Sequence, residues 1–367
     1  MNCESPMVLI GIGTAGCAIA RGVGRAFDGN MRCVLVDTDA TSGDAGGEFV
    51  LLGGDRLSGR GAGGDIVAGR LAAEGSVKML DEYLDGVRLA VIVTSLGGGT
   101  GGGATLEASK HLGELGIPSV VFATTPFTFE GDDRQRNSRG MMTMIEEAAS
   151  ATFFLPLDKL IGDTDNMADA LRRAIDVVSS GVTLFWRLVE KPGYIRLDVE
   201  RLRHLLVGAG RGRFAAVTVR GPGRAAEAVD SIIRSEMLSV ASGPVRSAIC
   251  GVLAGDDLLL SEVGKIADGV KGAFGGLTFD LATVNDEATF SGRISVVVML
   301  FESGAQPGSD DKPGSVMGGR PRRNRPKGNL GIGPTGRGRF KNAEPTIWRD
   351  EDLDVPTFIR KNLNLDF

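Results

Sequence analysis

Val91-Ile-Val-Thr-Ser-Leu-Gly97-Gly-Gly-Thr100-Gly-Gly-Gly103-Ala104 is the stretch whose reading decides the fold. A β-branched run reads as a buried parallel strand, breaks into six glycines around one threonine, and Leu106-Glu-Ala-Ser-Lys110 then resumes a helical pattern. A strand, loop and helix of this kind gather bare backbone N–H groups and a helix N-terminus around one point, which suits an anion. No Gly-Lys-Ser/Thr follows, so this is not a Walker loop. Charge must then be met by the amides of Gly97, Gly98, Gly99, Gly101, Gly102 and Gly103, by the Thr100 hydroxyl, and by Mg²⁺.

Two further turns share this construction. Met7-Val-Leu-Ile10 runs into Gly11-Ile-Gly13-Thr14-Ala15-Gly16, the G-x-G-x-x-G turn of a nucleotide-binding βαβ unit. The following strand, Cys33-Val-Leu-Val36, ends in Asp37, about 20 residues further on, where a dinucleotide dehydrogenase keeps its ribose-binding acid. Taken alone, that turn suggests an NAD-dependent oxidoreductase. Such an enzyme has no use for the additional turn at Gly61-Ala62-Gly63-Gly64, nor for the Gly97–Gly103 loop. Three glycine-rich turns should converge at the carboxyl edge of an open α/β sheet, and a ligand with several phosphates is their natural occupant. After the next strand, Ile117–Thr124, Glu130 can accept from ribose hydroxyls and Arg134 can pair with a phosphate oxygen.

Composition bounds the rest. With 367 residues, 42% hydrophobic and 24% charged, the chain can bury a large core and has length for two domains. A net charge of −5 argues against the whole chain being a nucleic-acid binder. Cys3, Cys17, Cys33 and Cys250 have no metal-type spacing and read as reduced thiols in a cytosol. The N-terminus lacks the basic residues of a signal peptide, and no stretch approaches the roughly 20 apolar residues of a membrane span.

Apolar residues recur at helical spacing from Met167 to Val189, predicting a largely buried central helix that carries Asp176. Alternating strands and helices between Phe214 and Phe301 form a second, smaller α/β sandwich. His111 and His204 are expected on helical surfaces. Beyond Phe301 the composition turns to Ser, Gly, Pro and bases from Arg320 to Lys341, which reads as a flexible basic linker. The final Glu351–Lys361 puts acids first, apolar anchors around Pro356 and bases last, which suits a short helix docking in a partner's groove.

The loop Gly97-Gly-Gly-Thr-Gly-Gly-Gly-Ala104 resembles the tubulin signature loop. With Gly11-Ile-Gly13, Val36-Asp-Thr-Asp39, Gly61-Ala-Gly63, Pro126-Phe-Thr-Phe-Glu-Gly131 and Leu353-Asp-Val-Pro-Thr-Phe-Ile-Arg360, the whole chain is similar to the bacterial FtsZ branch of the tubulin/FtsZ family. The resemblance implies a Rossmann-type GTP-binding domain over 1–165, a central helix over 166–190, and a C-terminal α/β domain over 191–302. A linker over 303–349 and a partner-binding peptide over 350–367 complete it. It implies a GTPase binding GTP or GDP with Mg²⁺ and polymerising head to tail at the division site, on the cytoplasmic face of the membrane. Membrane-tethering division proteins would hold it through Asp352–Arg360, with no direct insertion. The basic linker suggests weak contact with anionic lipid or nucleic acid.

By residue, the resemblance gives phosphate contact to the Gly97–Gly103 loop, Gly61-Ala62-Gly63 and Arg134, ribose contact to Glu130 and guanine recognition to Asp176. Asp198 becomes the acid that positions water on the neighbouring subunit's nucleotide. Here the chain departs from the family. Arg196 and Arg201 stand where Asn and Asp are usual, while Ala18, Leu157 and Asp37 replace asparagines. The two guanidiniums are expected to pair with Asp198 and slow hydrolysis, or else to neutralise γ-phosphate charge, with Glu200 as a substitute acid.

Overall fold

A computed structural model of the chain describes residues 5–27, 31–44, 46–160, 166–191, 193–206, 208–239, 244–275 and 278–302, with a few backbone positions near 350. The region up to Glu302 is organised by ten strands: β1 (Met7–Ile12), β2 (Cys33–Asp37), β3 (Glu48–Leu51), β4 (Leu89–Ser95), β5 (Ser119–Thr125), β6 (Ala151–Pro156), β7 (Gly210–Arg220), β8 (Val245–Ala254), β9 (Thr278–Asn285) and β10 (Arg293–Glu302). They lie in the order β3-β2-β1-β4-β5-β6-β7-β10-β8-β9. The first six are parallel, in the doubly wound order 3-2-1-4-5-6.

Both faces of this parallel half are covered, as a sheet built from βαβ units requires. Alternate residues of β1 enter different cores: Met7 and Leu9 pack toward helices Gly13–Arg25 and Met167–Glu190, while Val8, Ile10 and Ile12 join the layer with helices Ile66–Ser76, Gly99–Glu114 and Asp132–Ala148. An aromatic cluster of Phe122, Phe153, Phe185 and Phe214 ties β5 and β6 to the central helix and β7.

In the C-terminal half, β10 pairs antiparallel with β7 and β8, and β8 runs parallel to β9. Helices Arg224–Ile233 and Leu260–Phe274 cover one face through Ala228, Ile232, Ile266 and Val270. The sheet is continuous between the two halves through β6 and the first residues of β7, Ala151↔Gly210 to Phe153↔Gly212. Past that point the strands diverge, and the central helix Met167–Glu190 fills the space with fully buried Val182, Phe185 and Trp186.

Two expectations need correction. The central helix is buried through its second half, but Leu171 and Val177 in its first half are exposed. Helix Gly13–Arg25 covers the side bearing Val178 and Ser179, and Ala174 packs with Phe127 and Leu157 instead. His111 is buried rather than on the surface, because its side of helix Gly99–Glu114 packs on the segment Val77–Tyr83, where its Nε2 lies 2.6 Å from Asp81 Oδ1. His204 is exposed as expected, Cys17 and Cys250 are buried free thiols, and Cys33 is a half-buried one. The linker and tail peptide lie almost wholly outside the described residues. Ile347–Trp348 and Glu351–Asp352 form a short antiparallel pair.

The far end of the central helix is clamped. Asp286 accepts from Arg187 (2.9 Å), Lys191 (2.7 Å) and Thr289 Oγ1 (2.8 Å), and Arg187 also donates to the Ala26 carbonyl. Burial acts to raise the Asp286 carboxyl, but the hydrogen bonds from Lys191 and Thr289 outweigh it and hold the group below the ordinary carboxylate value. A depressed carboxyl contributes stability above its unfolded pKa and loses it as pH falls through the folded one. Urea midpoints should therefore drop between about pH 5 and 3. Asp286→Asn should lower the neutral-pH midpoint and flatten that acid limb.

Candidate functional site

The carboxyl ends of β2, β1, β4 and β5 stand in one row, with Ile12 opposite both Val36 and Thr94, and Thr94 opposite Ala123. The strand order reverses between β1 and β4, which opens a crevice just beyond that row. Helices Gly13–Arg25 and Gly99–Glu114 both begin there. Neither N-terminus has a side-chain cap or an acid in its first turn. They sit side by side, since a Cβ placed on Gly13 would lie 3.3 Å from Gly101 N. Two uncapped helix starts present unsatisfied N–H groups and partial positive charge to the same small volume. By contrast, the third nearby helix, Ile66–Ser76, is capped by Asp65 at 2.8 Å from Val67 N.

The Gly97–Gly103 run divides by task. Gly97 takes φ +107°, turning the chain out of β4. The helix already begins at Gly99, so Gly99 to Gly103 form its first turns rather than a loop. Gly99, Gly101, Gly102 and Gly103 are buried by close packing: a Cβ on Gly101 would meet the Ser95 carbonyl, and one on Gly103 would meet backbone of helix Ile66–Ser76. Only Gly98 and Thr100 are partly open to the crevice, and nothing lies within 4 Å of the Cβ direction at Gly98.

The other turns converge as expected. Gly61 N donates to the Thr38 carbonyl at 3.0 Å and Ala40 N to the Gly59 carbonyl at 3.0 Å, stitching the second turn to the end of β2. Ala62 is buried against Gly99, while Gly63 is exposed. Thr38 and Thr100 bring their hydroxyls 2.6 Å apart, joining β2 to the signature helix. Asn137 donates to the carbonyls of Gly64 (3.4 Å) and Gly97 (3.5 Å). Thr38, Ser42 and Asn137 are members of this frame that the pattern of glycines alone does not mark.

Thr14 and Ala15 are exposed at the start of their helix, whereas Gly11 lies inside β1 against Ala20. Asp37 is buried and fully engaged: Oδ2 accepts from Ser42 Oγ (2.6 Å) and Thr14 Oγ1 (3.1 Å), and Oδ1 from Thr38 N (2.7 Å). It braces the turn, with both of its oxygens already hydrogen-bonded within the chain. Burial, with the nearby Asp37 charge, pushes the Cys17 thiol up to about 12, so it is no nucleophile.

Glu130 accepts from Phe127 N (2.8 Å) and from Arg134 (2.6 Å), and Arg134 stands beside Gly97. Asp176 is exposed on the central helix and lines a cleft of about 440 Å³ with Gly22, Arg25 and Ser179. At 1.5 Å per residue, helix Gly13–Arg25 carries the site roughly 14 Å from the phosphate-facing turn at Gly13 to Gly22 beside Asp176.

Asp198 and Glu200 are elsewhere. They line a cavity of about 370 Å³ with Pro6, Met7, Arg88 and Glu190, at the amino ends of β1 and β4. Asp198 Oδ1 caps helix Val199–Leu206 by accepting Arg201 N at 2.7 Å. The expected pairing of Asp198 with two guanidiniums is not found. Arg201 leaves its helix toward β9 and holds Asp280 Oδ1 at 2.9 and 2.7 Å, and Arg196 is exposed. Glu200 is held by Arg88 at 2.6 Å.

Strand order, switch-point crevice and paired helix starts define a doubly wound nucleotide-binding protein. Residues 6–165 match the Tubulin/FtsZ family, GTPase domain. The chain is 30% identical over 275 residues to the cell division protein FtsZ of Pseudomonas putida, spanning 72% of this chain and 69% of that one. To FtsZ of Coxiella burnetii it is 29% identical over 380 residues, spanning 98% and 96%. Among solved structures, the empty FtsZ dimer of M. jannaschii matches with TM-score 0.74 at 23% identity, over 80% of this chain and 87% of that one. The GTPγS-bound protofilament of CetZ2 from Haloferax volcanii matches with TM-score 0.69 at 21% identity, over 82% and 94%. The chain belongs to the Tubulin/FtsZ family, as a divergent FtsZ-like member.

The division of labour among the glycines is testable. Gly101→Ala should cost about 1–3 kcal/mol of stability by overpacking. Gly98→Ala, at a φ of −88° that any residue adopts, should leave stability within about 0.5 kcal/mol while weakening guanine-nucleotide binding about tenfold. Urea denaturation and nucleotide titration of each variant separate the two effects.

Proposed function

We propose that this protein binds GTP, polymerises head to tail in bacterial cell division, and hydrolyses GTP at the junction between successive copies. One observation carries this reading: the phosphate crevice and Asp198 lie at opposite edges of the same sheet. Strand β1 alone spans six residues, about 20 Å. Asp198 therefore cannot serve the nucleotide of its own chain and can serve only that of a neighbour. Such a contact joins two different surfaces, which generates a linear array rather than a closed dimer. Exposed apolar residues stand in both regions, Val67 and Phe129 near the crevice and Tyr194 near Asp198. The FtsZ dimer and CetZ2 protofilament among the structural relatives are consistent with this arrangement.

In this reading the N–H groups at Gly98 to Thr100 and Thr14 hold phosphates, Arg134 leaves Glu130 to pair with a phosphate oxygen, and Glu130 turns to the ribose. Asp176 accepts from guanine N1–H and the exocyclic amine together, which adenine does not offer. Among the described residues no group of three or more His, Cys, Asp or Glu side chains is arranged to hold a metal. Mg²⁺ would be held in company with the phosphate oxygens by the Thr100 hydroxyl, which is partly open to the crevice, and would screen phosphate charge. Asp198 of the next copy orients a water whose oxygen bonds to the γ-phosphorus. The bond to the bridging oxygen breaks, its electron pair stays on GDP, and the water proton passes to a phosphate oxygen.

The domain plan of 1–165, 166–190 and 191–302 follows from the same reading. So do a cytoplasmic location at the division site, a tethering partner for Asp352–Arg360, and a basic linker near anionic lipid or nucleic acid. No described helix is long and apolar enough to cross a membrane.

Asp198→Asn should reduce phosphate release about 10²-fold or more, leave GTP affinity of the dilute protein unchanged, and still permit sedimentable polymer with GTP. Phosphate release that does not rise with protein concentration would contradict shared catalysis.

A further inference from the structure

We infer that Arg196 is a second catalytic group, delivering a positive charge to the terminal phosphate of the nucleotide held by the neighbouring copy. This rests on the head-to-tail reading above. The loop before helix Val199–Leu206 carries Arg196 and Asp198 around buried Leu197, and Val199 beyond them is buried again. Alternating burial puts the Arg196 and Asp198 side chains on one outward face, roughly 7 Å apart along the chain.

The two cations near Asp198 are not equivalent. Arg201 is spent on Asp280, a carboxylate only 19% exposed. Arg196 has no hydrogen bond or ion pair among the described residues and is fully presented to solvent. The backbone behind it is nevertheless fixed. Ile195 N donates to Thr283 Oγ1 at 3.0 Å, Thr283 N donates to the Ile195 carbonyl at 2.8 Å, and Gly193 lies flush against the Thr283 carbonyl of β9. Asp198 is pinned as a helix cap on the other side. A free guanidinium is thus held on a fastened base beside the acid.

The charge balance explains why both are needed. Bringing a carboxylate to a triphosphate sets like charges against each other, and the neighbouring cations Arg88 and Arg201 are already paired with Glu200 and Asp280. A guanidinium stays protonated at neutral pH and fits two non-bridging phosphate oxygens at once. With Arg196 on the γ-phosphate, Asp198 can approach the attacking water without net repulsion. The covalent events are those given above; Arg196 forms no bond and takes no proton.

The test uses the full chain with GTP and Mg²⁺, comparing wild type with Arg196→Ala, Arg196→Lys and Asp198→Asn. GTP affinity of dilute protein should be unchanged in Arg196→Ala, because the residue faces away from its own crevice. Phosphate release per sedimented subunit should fall about tenfold or more, with Arg196→Lys retaining more than Arg196→Ala. Where Arg196→Ala polymerises poorly alone, doping it into wild-type filaments should lower turnover in proportion to its fraction. Turnover at or above the wild-type level, alone or in mixtures, overturns the inference. The underlying reading fails separately, if wild type itself releases no phosphate or if Asp198→Asn releases it normally.

Discussion

Everything at the crevice depends on two bare helix starts being pressed together at the point where the sheet changes winding direction. Their contact needs glycine on both sides: Gly13 beside Gly101, and Gly101 against the end of β4. Thr94 secures the seam with its Oγ1 3.1 Å from the carbonyls of both Ile12 and Gly101, its single proton shared between them. Unpaired backbone donors in such a seam are costly in isolation and become an asset only when an anion satisfies them. The nearby acids are engaged in hydrogen bonds of their own, Asp37 with Ser42 and with Thr14 of the first helix turn, and Asp65 as the cap of helix Ile66–Ser76.

Much of this was legible in the sequence, because each turn is a local event. Strand, glycines and helix follow one another within a dozen residues at Gly11–Gly16 and at Gly97–Gly103, while at Gly61 a short helix, Gly54–Leu57, stands between β3 and the turn. Reading every glycine of Gly97–Gly103 as part of an anion cradle leaves out the close packing that Gly99, Gly101, Gly102 and Gly103 also serve. Helix-to-helix and helix-to-strand packing demands small residues for the same steric reason as ligand approach, and a sequence does not separate the two. His111 is a similar case: nothing local reveals that Asp81, thirty residues earlier, waits beneath it. Arg201 reads as a neighbour of Asp198 because it stands only three residues further along the chain. Its partner Asp280 comes from a strand 79 residues away.

The continuity of the sheet also escapes a linear reading. Segments before and after the central helix look like separate α/β units, and each does carry its own core. Three residue pairs between β6 and β7 join them edge to edge, after which the strands part and the helix occupies the gap. Gly212 permits that join, since a Cβ there would collide with the ring of Phe153. The aromatic cluster around Phe122 then forms where β5, β6, β7 and the helix share a boundary.

That helix gives the molecule its directionality. It carries Asp176 near one end and leads, past Glu190, into the loop bearing Arg196 and Asp198 at the other. Its 24 residues make a rod of about 36 Å, long enough to connect the two edges of the sheet. The rod is fixed at its middle by Ser179, which donates to the Ile19 carbonyl, and at its far end by Arg187, which reaches both Asp286 and the Ala26 carbonyl. Helix Gly13–Arg25 is therefore bolted to the rod twice, once on its side and once at its end. Because that same helix begins at the phosphate-facing turn, the crevice and the outward-facing acid are held at a set separation by packed elements rather than by a loose tether. In the head-to-tail array proposed above, the distance from one nucleotide to the acid that serves the next would be set by this rod.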